Sequence, residues 1–324
     1  MIGAGIAGCC LAYALARRGV AAVLVDRGRV GRLGASAVGA ALLNPYRGRS
    51  GKPGPYDLEG LASFWRLADE LRAGGAQPGA RRSGVLRIAS NARQARAWQE
   101  LPGMERQSEL PEAYRAPAGA FLVKDGGWVD TSRLLSALVS AVRATGAEVI
   151  EECEIERLER LYGTWRAHTE RGAIAARSVA LCLGAGSVPG ARVPQLDRIA
   201  GDQITLASDT PLPYPVAGSV YLASTGNRVL LGGNHRDPGI SDPHAPELLR
   251  ASAARMIPPL AEAPIVDVWT GVRAKRPNNL PMVEELESDL WFLGAFGGRG
   301  FLTAPLLASR LADTLAGRER RAHE

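Results

Sequence analysis

Apolar residues in this chain gather into short blocks that alternate between two periods. Residues 9–18 (Cys9-Cys10-Leu11-Ala12-Tyr13-Ala14-Leu15-Ala16-Arg17-Arg18) are good helix formers, and Gly19 follows two cations at the helix stop. Residues 20–25 are a continuous apolar run, suited to a strand covered on both faces, and it ends at Asp26. The pattern returns in mid-chain. Leu134, Leu135, Leu138, Val139 and Val142 make a helical stripe that Asp130 or Thr131 can cap and Gly146 can stop, and a strand begins over 147–150. Segments 155–161, 165–169 and 174–177 predict a small meander with turns near Gly163 and Gly172. Residues 178–183 then predict a second buried strand, and residues 290–295 a third. After it, Thr303 can cap a helix with Pro305 in its first turn, Leu306, Leu307, Leu311 and Leu315 on its apolar side, and an end before Gly317.

Between these blocks the texture changes. Residues 47–55 are dense in Gly and Pro and read as a loop, followed by a helix over 58–73. Residues 74–125 alternate short strand-like and helical pieces. Residues 187–265 are richer in Pro. Within them 221–223 and 229–233 look like paired strands, and 248–256 like a helix. The predicted fold class is α/β. A Rossmann-like dinucleotide-binding domain with a central parallel sheet (1–47, 126–190, 266–324) is interleaved with an α+β substrate domain of antiparallel mixed sheet (48–125, 191–265).

The dinucleotide reading rests on Gly3-Ala4-Gly5-Ile6-Ala7-Gly8. Such a pattern is weak alone, but here a helix follows it and Asp26 stands near the distance expected for an acid on a ribose hydroxyl. Gly3 makes the tight turn, Gly5 lets backbone approach a pyrophosphate, and Gly8 lets helix and sheet pack closely. The helix start offers unpaired N–H groups to phosphate. Only Met1 and Ile2 stand where the first strand belongs, so two expectations follow: a start codon assigned too late, or a flavin-fold protein with impaired activity. Gly184-Ala185-Gly186 and Gly297-Gly298-Arg299-Gly300 end two of the other predicted strands. They are further places where backbone can meet a cofactor.

Composition narrows the function classes. The chain has 324 residues, enough for a large core, and no apolar stretch of about 20 residues. Cys9, Cys10, Cys153 and Cys182 lack metal or disulfide spacing, so buried free thiols and a cytoplasmic location are expected, and no metal site is. The formal charge of +6 raises the question of nucleic acid. Arginines at 47 and 49 with Lys52, at 81 and 82, and at 318, 320 and 321 are local concentrations, the last expected to be a frayed tail.

Three glycine turns after buried strands form an unusual set. By them the chain resembles the FAD-dependent D-amino acid oxidase/glycine oxidase family over nearly its whole length. The strongest stretches are 3–27, 34–45, 127–155, 178–187 and 269–315. The resemblance implies FAD along Gly3, Gly5, Ile6, Ala7 and Gly8, its ribose at Asp26 beside Arg27, and phosphate contact at Ala35 and Ser36. It also implies adenine against the backbone of Ile155, and cofactor contact at Gly184 and Ala185. Ala41, Leu42 and Leu43 would line the isoalloxazine with main-chain groups. Gly298, Arg299, Gly300, Phe301, Leu302 and Thr303 would wrap its pyrimidine end. Arg273 falls where family oxidases grip a substrate carboxylate, a task suited to a guanidinium fork. Tyr221 and His235 are the other pocket candidates, with a structural hydrogen-bonded role for His235 left open.

The stretches 297–307 and 34–45 look more like the FAD domain of the bifunctional tRNA 5-methylaminomethyl-2-thiouridine biosynthesis enzyme. Glycine oxidases tend to place a second substrate arginine where this chain has Gly298. The Arg-Asp pair usual before the Leu-Pro step of the tRNA enzyme is replaced within residues 275–281. No cysteine follows Cys182, so a flavin thioether in the C-terminal segment is ruled out and non-covalent FAD is expected. The expected reaction is oxidation of a C–N bond in a small amine or amino acid, with oxygen or another electron acceptor. The alternative substrate is an alkylaminomethyl group of tRNA.

Overall fold

The computed structural model describes residues 1–323. Its helices are α1 (Ile6–Ala16), α2 (Asp57–Ala73), α3 (Ala92–Gln99), α4 (Thr131–Ala144), α5 (Ala245–Ala254) and α6 (Gly300–His323).

A parallel core sheet comes first. Val23–Val25 pairs in parallel with Glu148–Ile150, and Val179–Leu181 with Leu290–Gly294, while Met282–Glu287 adds an antiparallel edge. Ile2 bridges Val25 on one side and Leu181 on the other. Met1–Gly3 thus occupy the centre: Met1 O accepts from Val25 N at 3.0 Å, and Ile2 O accepts from Cys182 N at 2.8 Å. Helix α1 lies on this sheet, flanked by α4 and α6. Every residue from Ile6 to Leu15 is buried, which explains an apolar run without an amphipathic stripe. α2 packs on α6, and Gly60 permits the approach, since a Cβ there would stand 2.6 Å from Leu302 O.

The large sheet has eight strands. In spatial order they are Ile265–Lys275, Asp197–Ala207, Arg228–Gly232, Tyr221–Thr225, Val216–Ala217, Val85–Ile88, Ala120–Val123 and Glu105–Gln107. All neighbours are antiparallel except Val216–Ala217 with Val85–Ile88. The strand Ile265–Lys275 pairs with Asp197–Ala207 along nearly its whole length. Residues 266–275 therefore lie in the large sheet rather than with the nucleotide fold, where the sequence pattern put them. Pairing decides this, because an 11-residue partner strand satisfies their backbone groups.

Two local expectations change. Helix α6 starts at Gly300, not after Thr303, because residues 296–300 already turn helically through Gly297–Arg299. Thr303 is fully buried and its Oγ1 donates to Arg299 O at 3.0 Å, so it is a helix-interior residue and Pro305 lies beyond the first turn. α6 also runs through Gly317 to His323. Arg318 is part of that helix, its guanidinium on Glu285 at 2.6 Å, not a frayed end. The side chains of Arg320 and Arg321 lie outside the described residues.

Candidate functional site

At the nucleotide end, Gly3 takes φ +102°, and a Cβ there would stand 2.5 Å from Cys182 O. Only glycine fits this turn. Gly8 presses on Gly3 O and lies 3.3 Å from Leu24 in the same sense, which is the close helix–sheet packing expected of it. Gly5 is the N-cap of α1, brings no capping side chain, and no acid stands in the first turn. The positive end of α1 is therefore left for an anion. Ser36 Oγ accepts from Ile6 N at 3.0 Å and sits 3.1 Å from the Cβ that Gly5 lacks. Ala35 and Ser36 form a short helical turn against this loop.

Asp26 Oδ2 accepts from Ala4 N at 2.6 Å and Oδ1 from Gly28 N at 2.8 Å. Its carboxylate thus holds the glycine turn itself. Arg27 is exposed. Ile155 is buried in a cluster with Cys153 and Val25, and Gly184 stands in open space with φ +59° next to Ala185. These residues converge on the carboxyl ends of the parallel strands, where a dinucleotide belongs. The donor set and the bare glycine cradle fit FAD: α1 would hold its pyrophosphate.

The other end is built by three pieces. Ala40–Leu43 pairs with Gly127–Asp130, leaving Ala41 and Leu42 partly exposed and Leu43 in the core. Gly298 is exposed, while Phe301, Leu302 and Thr303 are buried, so the last three can offer backbone more readily than side chain. Gly300 lies 3.1 Å, by its missing Cβ, from Ile6 of α1. Arg299 is buried and pairs with Asp57 at 3.7 Å.

The third piece is the large sheet, which gathers Arg273, Tyr221 and His235. Arg273 Nη2 donates to Asn234 O at 3.3 Å, and its Nη1 would lie 3.7 Å from a Cβ at Gly298. Burial lowers the Arg273 pKa, and nearby Tyr221 opposes that shift. Burial raises the Tyr221 phenol, which stays protonated at neutral pH. His235 keeps an exposed edge; desolvation of the rest, then Arg273 and Lys275, lowers its pKa and favours the neutral ring.

Two residues that sequence reasoning missed organise this cluster. Gln203 is 3% exposed, and all its hydrogen-bonding capacity is used. Its Oε1 accepts from Gly39 N at 2.7 Å and Ala40 N at 3.3 Å, while Nε2 donates to Ala40 O at 3.1 Å and Tyr221 Oη at 3.3 Å. Asp202 accepts from Asn234 Nδ2 at 2.6 Å, Thr270 Oγ1 at 2.6 Å and Arg236 Nη2 at 2.7 Å. Asn234 Oδ1 in turn accepts from Asp202 N at 2.6 Å, which fixes the carbonyl that receives Arg273. The only available signal was two adjacent polar residues, 202 and 203, inside an apolar strand. Among the described residues no group of His, Cys, Asp and Glu could hold a metal, and no helix is long and apolar enough to cross a membrane.

The chain is 32% identical over 98% of its length to the tRNA 5-methylaminomethyl-2-thiouridine biosynthesis bifunctional protein MnmC of Maricaulis maris, and spans about half (52%) of that protein. It is 25% identical over 98% of its length to the glycine oxidase of Geobacillus kaustophilus, covering 93% of it. The crystal structure of glycine oxidase from Geobacillus kaustophilus superposes with a TM-score of 0.85 at 23% identity, over 98% of this chain and 93% of that one. The family model for DAO, FAD dependent oxidoreductase, matches residues 1–314. With the glycine cradle, the interleaved sheets and this match in agreement, the chain belongs to the DAO family of FAD-dependent oxidoreductases.

Proposed function

We propose that this protein oxidises a C–N bond of a small amine or amino acid bearing a carboxylate, using non-covalently bound FAD. Arg273 carries the proposal. It is a half-buried guanidinium at the end of the large sheet, beside Gly298 of the flavin-side turn. Partial burial makes its attraction for a carboxylate stronger than at an open surface. The bond to Asn234 O leaves other N–H groups of its fork for the substrate. Tyr221, protonated and held by Gln203, would fix the substrate's orientation. His235, biased to the neutral ring, can take the proton of a substrate ammonium, leaving the nitrogen lone pair that helps hydride leave carbon. When bound, FAD would supply the hydride acceptor and a route for the electrons to oxygen or another acceptor. The oxidised substrate is an imine, which water hydrolyses. Four buried free cysteines accord with a reducing, cytoplasmic setting.

The test is a flavin spectrum and an amine panel. The protein should be yellow and release its FAD on acid precipitation. At least one carboxylated amine should bleach it anaerobically. Arg273→Met should raise KM for that amine by roughly 100-fold, equivalent to about 3 kcal/mol of lost binding. A yellow protein that no amine bleaches would sink the oxidase reading and leave FAD binding intact.

A second reading, oxidation of an alkylaminomethyl group on a tRNA wobble uridine, is favoured by the 32% identity to the Maricaulis maris protein. Bleaching by modified tRNA but not by free amines, with steep salt dependence, would select it.

A further inference from the structure

Behind the flavin-side turn lies a group of charges that the reaction above does not use. Asp57, at the start of α2, is 1% exposed. Its Oδ2 accepts from Arg47 Nη2 at 3.1 Å and Gly54 N at 2.8 Å, and its Oδ1 stands 3.7 Å from Arg299 Nη1. A third arginine, Arg87, comes from the buried strand Val85–Ile88 and is 5% exposed. Arg87 Nη2 donates to Gly48 O at 3.0 Å, and its guanidinium lies 3.9 Å from the centre of the Trp98 ring. Burial, then the charge of Arg47, pushes the Arg87 pKa down to about 10, so it remains a cation at neutral pH.

Arg47 and Arg299 face one carboxylate, and Arg87 adds a third guanidinium that feels the charge of Arg47, so the group carries an excess of two positive charges. Arg87 Nε, Arg87 Nη1 and Arg47 Nε are buried without a hydrogen-bond partner, as is Asp57 Oδ1 on the side of Arg299. Removing a charge from water costs several kcal/mol unless a partner compensates. Buried donors left unpaired add to that cost. The 48–55 loop covers the group and is tied down by Trp98 Nε1 and Gln94 Nε2, both donating to Arg49 O at 3.1 and 3.0 Å. Arg47 itself is 35% exposed at its side chain, and Arg49 and Lys52 are exposed on the same loop. The approach is thus positive from surface to interior, an arrangement that draws anions inward.

We propose that Arg47 and Arg87, with Arg299 beyond Asp57, form a binding site for one oxyanion, a carboxylate or a phosphate, beneath the 48–55 loop. The chemistry that fits is a planar or tetrahedral group with two oxygens for two guanidinium forks. The site is distinct from Arg273, which stands on the large sheet's outermost strand, Ile265–Lys275, several strands away from Arg87. It does not depend on which substrate is oxidised.

The test uses FAD-loaded protein, so that the turn at α1 is filled. Thermal unfolding is followed against inorganic phosphate and against acetate, with chloride at matched ionic strength as reference. Either oxyanion should raise the midpoint saturably where chloride does not. Arg47→Ala should weaken that binding by about tenfold, equivalent to about 1.4 kcal/mol. Arg87→Lys, which keeps the charge and loses the fork, should weaken it too and guards against simple unfolding in the first variant. Arg192→Ser, at an exposed arginine outside this loop, should leave it within about twofold. Phosphate saturating at lower concentration assigns the site to a phosphate-bearing ligand; acetate doing so assigns it to a carboxylate. A midpoint that moves no more than in chloride, or that moves in Arg47→Ala and Arg87→Lys as far as in the unaltered protein, overturns the proposal.

Discussion

Asp202 shows how much a single side chain decides. Burial alone would raise its pKa; hydrogen bonds from Arg236, Thr270 and Asn234 outweigh burial and hold it below the ordinary aspartate range. A carboxylate depressed in the folded state stabilises the fold above its unfolded pKa, and that stability is lost as pH falls through the lowered value. Asp202→Asn should therefore destabilise the protein at pH 7 by on the order of 3 kcal/mol. The difference from wild type should shrink in acid, as pH falls below the ordinary aspartate range. Urea unfolding at the two pH values checks this, and an equal loss at both would refute the ionised role. Because Asp202 holds Asn234 and Asn234 receives Arg273, the variant should also raise KM for a carboxylated amine.

Among elements, the glycine turn and α6 mark what the chain's pattern reveals and what it hides. Gly3→Ala would force a Cβ to 2.5 Å from backbone at Cys182 and hold alanine at φ +102°. Bound flavin, read as visible absorbance per protein, should fall sharply. Gly19→Ala, at φ +69° with nothing within 4 Å, should keep it. A normal flavin content in Gly3→Ala would refute the tight-turn role. The turn is legible in sequence because the constraint is steric and local: no other residue fits. The strand of residues 20–25 shrinks to Val23–Val25 because only three residues find partners in Glu148–Ile150. The start of α6 escapes reading because Thr303 carries a capping hydroxyl that is spent on Arg299 O inside the helix. Arg273, Tyr221 and His235 do come together, yet Gln203 and Asp202 show in sequence only as two polar positions in an apolar strand, with no sign of their roles. Their partners lie 18 to 164 residues away, and no short-range pattern encodes such pairs.

On the scale of the whole molecule, Gln203 is the rivet between its two halves. It joins the large sheet to the strand Ala40–Leu43, which the family resemblance sets against the flavin. Gln203→Leu would leave the N–H groups of Gly39 and Ala40 unpaired. It should cost about 3 kcal/mol of stability and shift the flavin spectrum. Thermal unfolding and the visible spectrum check it; an unchanged spectrum would show that the rivet does not bear on the cofactor. The order of the central sheet sets how far apart the pieces of the cradle lie along the chain. Met1–Gly3 take partners at residues 180–182, about 180 residues further on. The helix that braces α1, α6, begins only at Gly300. The phosphate cradle thus needs long-range partners before it is shaped, and cofactor capture should be a late event in folding that waits on the docking of α6. A chain cut before Gly300 should carry the whole fingerprint and hold no flavin.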